Sequence, residues 1–187
     1  MNLTKEELND IIQGCAKKKR KSQQIFFKYF YGKMKAVCLR YARDEAEAED
    51  MVQEGFIKVF DNLYKYEVTG SIEGWVRRIF VNTAIDHYRK NKNKYNIEDD
   101  ANIKDESYEE EQDESTYSQI KPQDIINAME ELSPAYQAVF NLYAIENYTH
   151  QEIAEILDIS IGTSKSNYAK AKAKMKQILQ ERFKLVG

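Results

Sequence analysis

Glycine and proline are scarce, seven and two in 187 residues. Glycine supplies the positive φ angles of tight turns and proline ends helices and strands, so this chain has little to interrupt long helices. Pro122 and Pro134 stand where breaks are expected. Two cysteines, Cys15 and Cys38, are too few for a disulfide framework. Neither has a histidine or second cysteine at metal-ligand spacing, so no zinc site and reduced thiols are expected. No window approaches the roughly 18 apolar residues of a membrane span, and the N-terminal "MNLTKEELNDIIQGC" lacks the apolar stretch of a secretion signal. A cytoplasmic, soluble protein that does not insert into membranes is expected. Gly-rich phosphate loops and nucleophile constellations are also missing. His87 and His150 stand isolated, as surface or helix-end residues, so no catalytic residue, metal or cofactor is expected. What remains is an all-α chain long enough for one domain or two small ones.

Charge is unevenly placed. The formal net charge is −3, yet residues 96–118, "NIEDDANIKDESYEEEQDESTYS", hold ten carboxylates against Lys104. That segment carries −9 by itself and the rest of the chain +6. Like charges repel, apolar residues are few and no helical period is present, which predicts a flexible acidic linker between two domains. It is either a solvated tether or an internal mimic of a polyanion.

Beyond the linker, Ser133 and Pro134 predict a helix start, the serine as N-cap and the proline at the first helical position, where its missing N–H does no harm. This helix should run from 134 to about 145. Thr149 and Glu152 form a capping box for a short helix ending near Leu157. Asp158 tolerates a left-handed turn and Ser160 can cap the next helix, which together predict a helix-turn-helix with Ala154 at the crossing and Ile153, Leu157 and Ile159 buried. Residues 159–176, "ISIGTSKSNYAKAKAKMK", contain five lysines and no carboxylate. At 100° per residue, Ile161, Ser164, Tyr168, Ala171, Met175 and Ile178 share the core stripe. Gly162, Ser166, Ala169, Lys170 and Ala173 lie opposite, with Lys165 and Lys174 on the flanks. Small side chains admit a helix to the floor of a major groove, and lysines take phosphate or guanine edges, so this is read as a recognition helix.

In the first half, Ile25, Phe26, Tyr29, Phe30, Met34, Val37, Cys38 and Tyr41 fall at helical spacing. The preceding "KKKRK", 17–21, is a solvated helix end or a phosphate contact. The helix expected at 46–65 has a core stripe of Val52, Gly55, Phe56, Val59 and Leu63. Opposite lie Asp50, Gln53, Glu54, Ile57 and Asp61, an isoleucine among acids that suggests docking on a basic partner helix. A loop at 66–71 leads into a basic helix at 72–92, where Trp75, read as core, shares a stripe with Ile79, Asn82 and Asp86. Asn82 and Asp86 are either buried and satisfied, or base-reading.

"EAEDMVQEGFIKVF", "GSIEGWVRRIFVNTAIDHYRK" and "LSPAYQAVFNLYAIENYTHQEIAEILDISIGTSKSNYAKAK" resemble, in this order, the two domains of extracytoplasmic-function (ECF) sigma factors of the sigma-70 family. The resemblance covers about 22–93 and 124–180. It implies an N-terminal extension at 1–21, a region 2 domain at 22–94, the acidic linker at 95–122 and a region 4 helix-turn-helix domain at 123–187. It also implies a non-enzymatic promoter-specificity subunit of bacterial RNA polymerase, a monomer when free. Asp50, Gln53, Glu54 and Ile57 would meet the β′ clamp helices of core polymerase, and the β flap would be a further contact. Tyr66, Thr69, Ser71, Arg77 and Asn82 would hold the melted −10 strand of promoter DNA. Lys165, Ser166, Ala169 and Lys170 would read the −35 duplex, with Thr163 near phosphate. Lysines and Asn167 stand where many relatives have arginines, so no base assignment follows. An anti-sigma factor, a frequent partner in the family, would cover the same two faces. The residues alone also admit a free-standing helix-turn-helix regulator, or an interaction protein that sequesters a basic helix through 50–61.

Overall fold

The computed structural model describes residues 3–67, 70–92 and 120–183, and every element in them is helical. The chain divides into two compact units, 1–87 and 88–187. The stretch 93–119, which holds the acidic run, lies outside the described residues.

In the first unit α1 (Lys5–Ala16) opens on a capping box. Thr4 Oγ1 accepts from the Glu7 N–H at 3.2 Å, and the Glu7 carboxylate accepts from the Thr4 N–H at 2.8 Å. Ile12 and Cys15 are buried where α1 packs along α2 (Arg20–Leu39). Helix α2 buries Phe26, Phe30, Met34, Val37 and Cys38, as its apolar spacing requires. Its partner α3 (Glu45–Asn62) is capped by Asp44 and continues as a 3₁₀ turn, Leu63–Lys65. Aromatic rings join the helices: Phe26 to Phe60 at 5.8 Å, Phe27 to Phe56 at 4.5 Å, and Phe56 edge-on to Phe80 of α4 (Ile72–Lys92) at 5.1 Å. Gly55 makes the last approach possible, since a Cβ there would stand 2.5 Å from the Phe80 ring. Cys15 and Cys38 are buried thiols whose pKa values burial pushes up, to about 11 and about 12, so they are inert structural residues.

In the second unit α5 (Pro122–Glu130) and α6 (Pro134–Phe140) both begin with proline at a first-turn position. Ser133 caps α6 through the Tyr136 N–H. The expected helix to 145 changes character at Asn141: residues Asn141–Ile145 form a π-helical turn, with Glu146 N–H donating to the Asn141 carbonyl at 3.0 Å. Next come α7 (His150–Leu157) and α8 (Ile161–Phe183). Ala171, Met175, Ile178 and Leu179 of α8 pack with Ala128, Met129 and Leu132. An Arg182–Glu131 ion pair ties the far end of α8 to the end of α5.

Candidate protein and nucleic-acid interfaces

Helix α3 separates a buried stripe from an outward one. Val52, Gly55, Phe56 and Val59 are buried, while Asp50, Gln53 and Asp61 are exposed and Ile57 keeps 61% of its surface open. Glu54, expected on the same free face, is tied down at its edge. Its carboxylate meets Lys58 Nζ at 2.8 Å and His87 Nε2 of α4 at 2.7 Å. The Lys58 contact first, and the His87 contact with it, hold this carboxyl well below the usual range, at about 2. His87 is therefore not isolated but a link between α3 and α4. Asp86 joins the same cluster through Lys58 at 3.1 Å. It is half-buried and ion-paired, so the buried reading of Asp86 does not hold.

The loop before α4 is shaped by Tyr66, whose ring lies 5.6 Å from that of Trp75 and whose hydroxyl donates to the Gly70 carbonyl. Ser71 Oγ accepts from the Gly74 N–H at 3.4 Å and the residue is exposed. Thr69 lies outside the described residues. Arg77 and Trp75 are half-buried on α4, and Asn82 is exposed, so the buried reading of Asn82 is wrong. The buried polar residue of this helix is Thr83, which donates to the Ile79 carbonyl at 2.9 Å. Its position on the core side of the helix was the available signal.

In the second unit the helix-turn-helix forms as its caps predict. Thr149 and Glu152 complete the capping box of α7, Asp158 sits at φ 54° and ψ 56° in the left-handed region, and Ser160 Oγ accepts from the Thr163 N–H at 2.9 Å. Lys165 and Ala169 are exposed on α8, beside exposed Gly162, while Thr163, Ser166 and Lys170 are half-buried. Thr163 Oγ1 also contacts Ser160 Oγ at 2.9 Å, and Ser166 Oγ donates to the Thr163 carbonyl at 3.2 Å. One placement differs from expectation. Ile161, at the first position of α8, stays 46% exposed. Asn167 is only 5% exposed, so it is a core-side residue and not part of the outward face.

His150 is likewise not isolated. Its Nδ1 lies 2.9 Å from Ser164 Oγ, linking the start of α7 to the first turns of α8, and its ring stacks on Tyr143 at 4.3 Å and 13°. Tyr143 in turn lies 4.5 Å from Tyr168. Burial, and then the charge of Lys165, hold the His150 pKa below its ordinary value. A serine inside an otherwise apolar stripe was the sequence signal for such a partner. Among the described residues no group of histidines, cysteines and carboxylates converges to hold a metal ion, and no helix is long and apolar enough to cross a membrane.

Residues 26–94 match the sigma-70 region 2 family, and residues 123–175 match sigma-70 region 4. Among known proteins, the chain is similar to the ECF RNA polymerase sigma factor SigW of Bacillus subtilis (strain 168), 28% identical over 164 residues, which are 80% of this chain and 84% of that one. RNA polymerase sigma factor SigV of the same organism is 30% identical over 135 residues, 72% of this chain and 77% of the relative. A similar solved structure, at TM-score 0.49 and 20% identity, is the sigma factor RpoE in complex with the anti-sigma factor NepR from Bartonella quintana, covering 84% of this chain and 96% of that one. With regions 2 and 4 in this order and relatives matched over most of their length, the chain belongs to the ECF group of the sigma-70 family of RNA polymerase sigma factors.

Proposed function

We propose that this sigma factor, which binds core RNA polymerase and directs transcription initiation without covalent chemistry of its own, reads its promoter at two places. The −35 element is taken as duplex by α8, and the −10 element as a melted strand by the loop at 66–71 and the start of α4. The observation that carries the reading is the outward side of α8, where Gly162 and Ala169 leave room for a groove floor between Lys165 and Lys170. Base edges fall to Lys165, Ser166, Ala169 and Lys170. Thr163, bound into the Ser160 cap, stands beside the free N–H groups of a helix start, a suitable place for a phosphate. For the melted strand, Tyr66, Thr69, Ser71, Arg77 and exposed Asn82 supply ring, hydroxyls, cation and amide. Unstacking a base costs a few kcal/mol, which such contacts must offset.

Core polymerase is assigned to the outward stripe of α3: Asp50, Gln53 and Ile57, with Glu54 contributing from its edge. A basic helix of the β′ clamp complements these acids, and the β flap is a second contact. Transcription by core polymerase mixed with the purified chain and genomic fragments tests the whole reading. Starts at defined promoters are expected, and their absence overturns it. For the α3 face the better variant is Asp50→Arg with Gln53→Arg, because both residues are exposed whereas changing Glu54 also removes an α3–α4 link. Core binding should be lost while the helical far-ultraviolet spectrum is kept. Unchanged core binding removes this face from the assignment.

A further inference from the structure

From Ile11 to Arg43 the chain contains no carboxylate. Arg40 aside, the cations along this stretch divide into two sets. Toward the end of α2 they have partners: Lys33 with Glu73 at 2.6 Å, Lys35 with Glu45 at 2.8 Å and Glu49 at 2.7 Å, and Arg43 beyond it with Glu47 at 3.1 Å. At its start, among the described residues, no carboxylate pairs with Lys17, Lys18, Lys19, Arg20, Lys21 or Lys28. Arg20 and Lys21 also occupy the first turn of a helix that has no acidic residue there and no side-chain cap, the end where the helix dipole disfavours cations. No described carboxylate offsets this charge, and an external polyanion would.

Beside these cations lies an open crevice of about 420 Å³ lined by Arg20, Gln23, Gln24, Phe27, Lys28 and Phe60. Phe27 is 38% exposed, and its ring is steadied from below by Phe56 at 4.5 Å and Tyr31 at 5.2 Å. Phe60 is half-buried against Phe26. Two rings, two amides and two cations in one crevice, with four more cations on the adjoining turn, combine a stacking floor with a backbone track. That is the chemistry of single-stranded nucleic acid binding. A basic protein helix of the kind assigned to the acidic α3 stripe would be repelled here, which separates the two faces by charge.

We propose that the crevice between the first half of α2 and the end of α3 binds single-stranded DNA without sequence preference, one base lying on Phe27 and the phosphates following Lys28, Arg20 and the 17–21 turn. This contact is separate from the loop at 66–71 and goes beyond the promoter reading. Its test needs neither polymerase nor promoter, so failure of one does not decide the other.

The probe is fluorescein-labelled oligo(dT) of about 20 nucleotides, long enough for one binding fold. Anisotropy is followed with the full chain over a series of potassium chloride concentrations. Arg20→Glu with Lys28→Glu should weaken binding about tenfold or more and reduce the salt slope by about 1.4, at about 0.7 per phosphate contact on single strands. Phe27→Ala should weaken it about fivefold or more at nearly constant slope, the loss of one base–ring stack. Phe27 supports Phe56, so the charge variant, at exposed or solvent-facing positions, keeps the test decisive should the alanine variant misfold. Wild-type oligo(dT) affinity in Arg20→Glu with Lys28→Glu overturns the proposal. So does a charge variant that binds oligo(dT) normally but loses core polymerase, because the crevice is then a protein-docking surface.

Discussion

His150 holds the two helices of the helix-turn-helix together by a contact that a proton can disturb. It occupies the first position of α7, where the N-terminal end of a helix repels positive charge, and it faces Lys165. Burial first and Lys165 second lower its folded pKa beneath the unfolded value of about 6.5. The unfolded chain therefore binds a proton sooner than the folded one as pH falls. The contribution of neutral His150 to stability is complete above about pH 6.5 and is lost as pH drops through the folded value. His150→Asn keeps a polar atom near Ser164 but cannot titrate in this range. Its midpoint of urea unfolding should be lower than wild type at neutral pH, with less decline between about pH 6.5 and pH 5. An equal decline in both proteins would show that other groups set the acid sensitivity of this unit.

Among the elements, helix starts were the most legible part of the sequence and side-chain partnerships the least. Ser133, Thr149 with Glu152, and Ser160 all cap as their spacing implies, because a cap depends on residues three positions apart. The π-helical turn at Asn141–Ile145 had no such local signature. Glu54 looked free on α3 because nothing within that helix reveals His87, 33 residues onward. Ile161 falls on the core stripe of α8 by its spacing, yet it is left exposed. It stands at a helix start, where periodicity gives an angle but not the reach of the neighbouring elements. The turn between α7 and α8 was read correctly from one residue. Asp158 holds φ 54°, a conformation that glycine adopts with less strain. Asp158→Gly should raise the stability of the second unit by up to about 1 kcal/mol, and Asp158→Val should lower it by more, since a β-branched side chain is strained there. Denaturant titration of the two variants measures both signs.

At the scale of the whole molecule, the acidic net charge hides a basic N-terminal part, and two compact units each carry a core of their own. The first is built on Phe26, Phe30, Phe56 and Phe80, the second on Met129, Leu142, Ile153 and Leu157. Separate cores predict separate responses to mutation, because a side chain that packs in one unit contributes little to the other. Gly55→Ala gives the sharper probe. Its new Cβ would stand 2.5 Å from the Phe80 ring, and overpacking of this kind costs about 1–3 kcal/mol. For a unit of this size each kcal/mol moves the melting midpoint by roughly 4–8 °C. Scanning calorimetry of the full chain should resolve a transition that falls in Gly55→Ala and is unmoved in Asp158→Gly, and a second that rises in Asp158→Gly and is unmoved in Gly55→Ala. If both variants shift one shared transition, the two units unfold together, and a protein partner or DNA held by one of them stabilises the other as well.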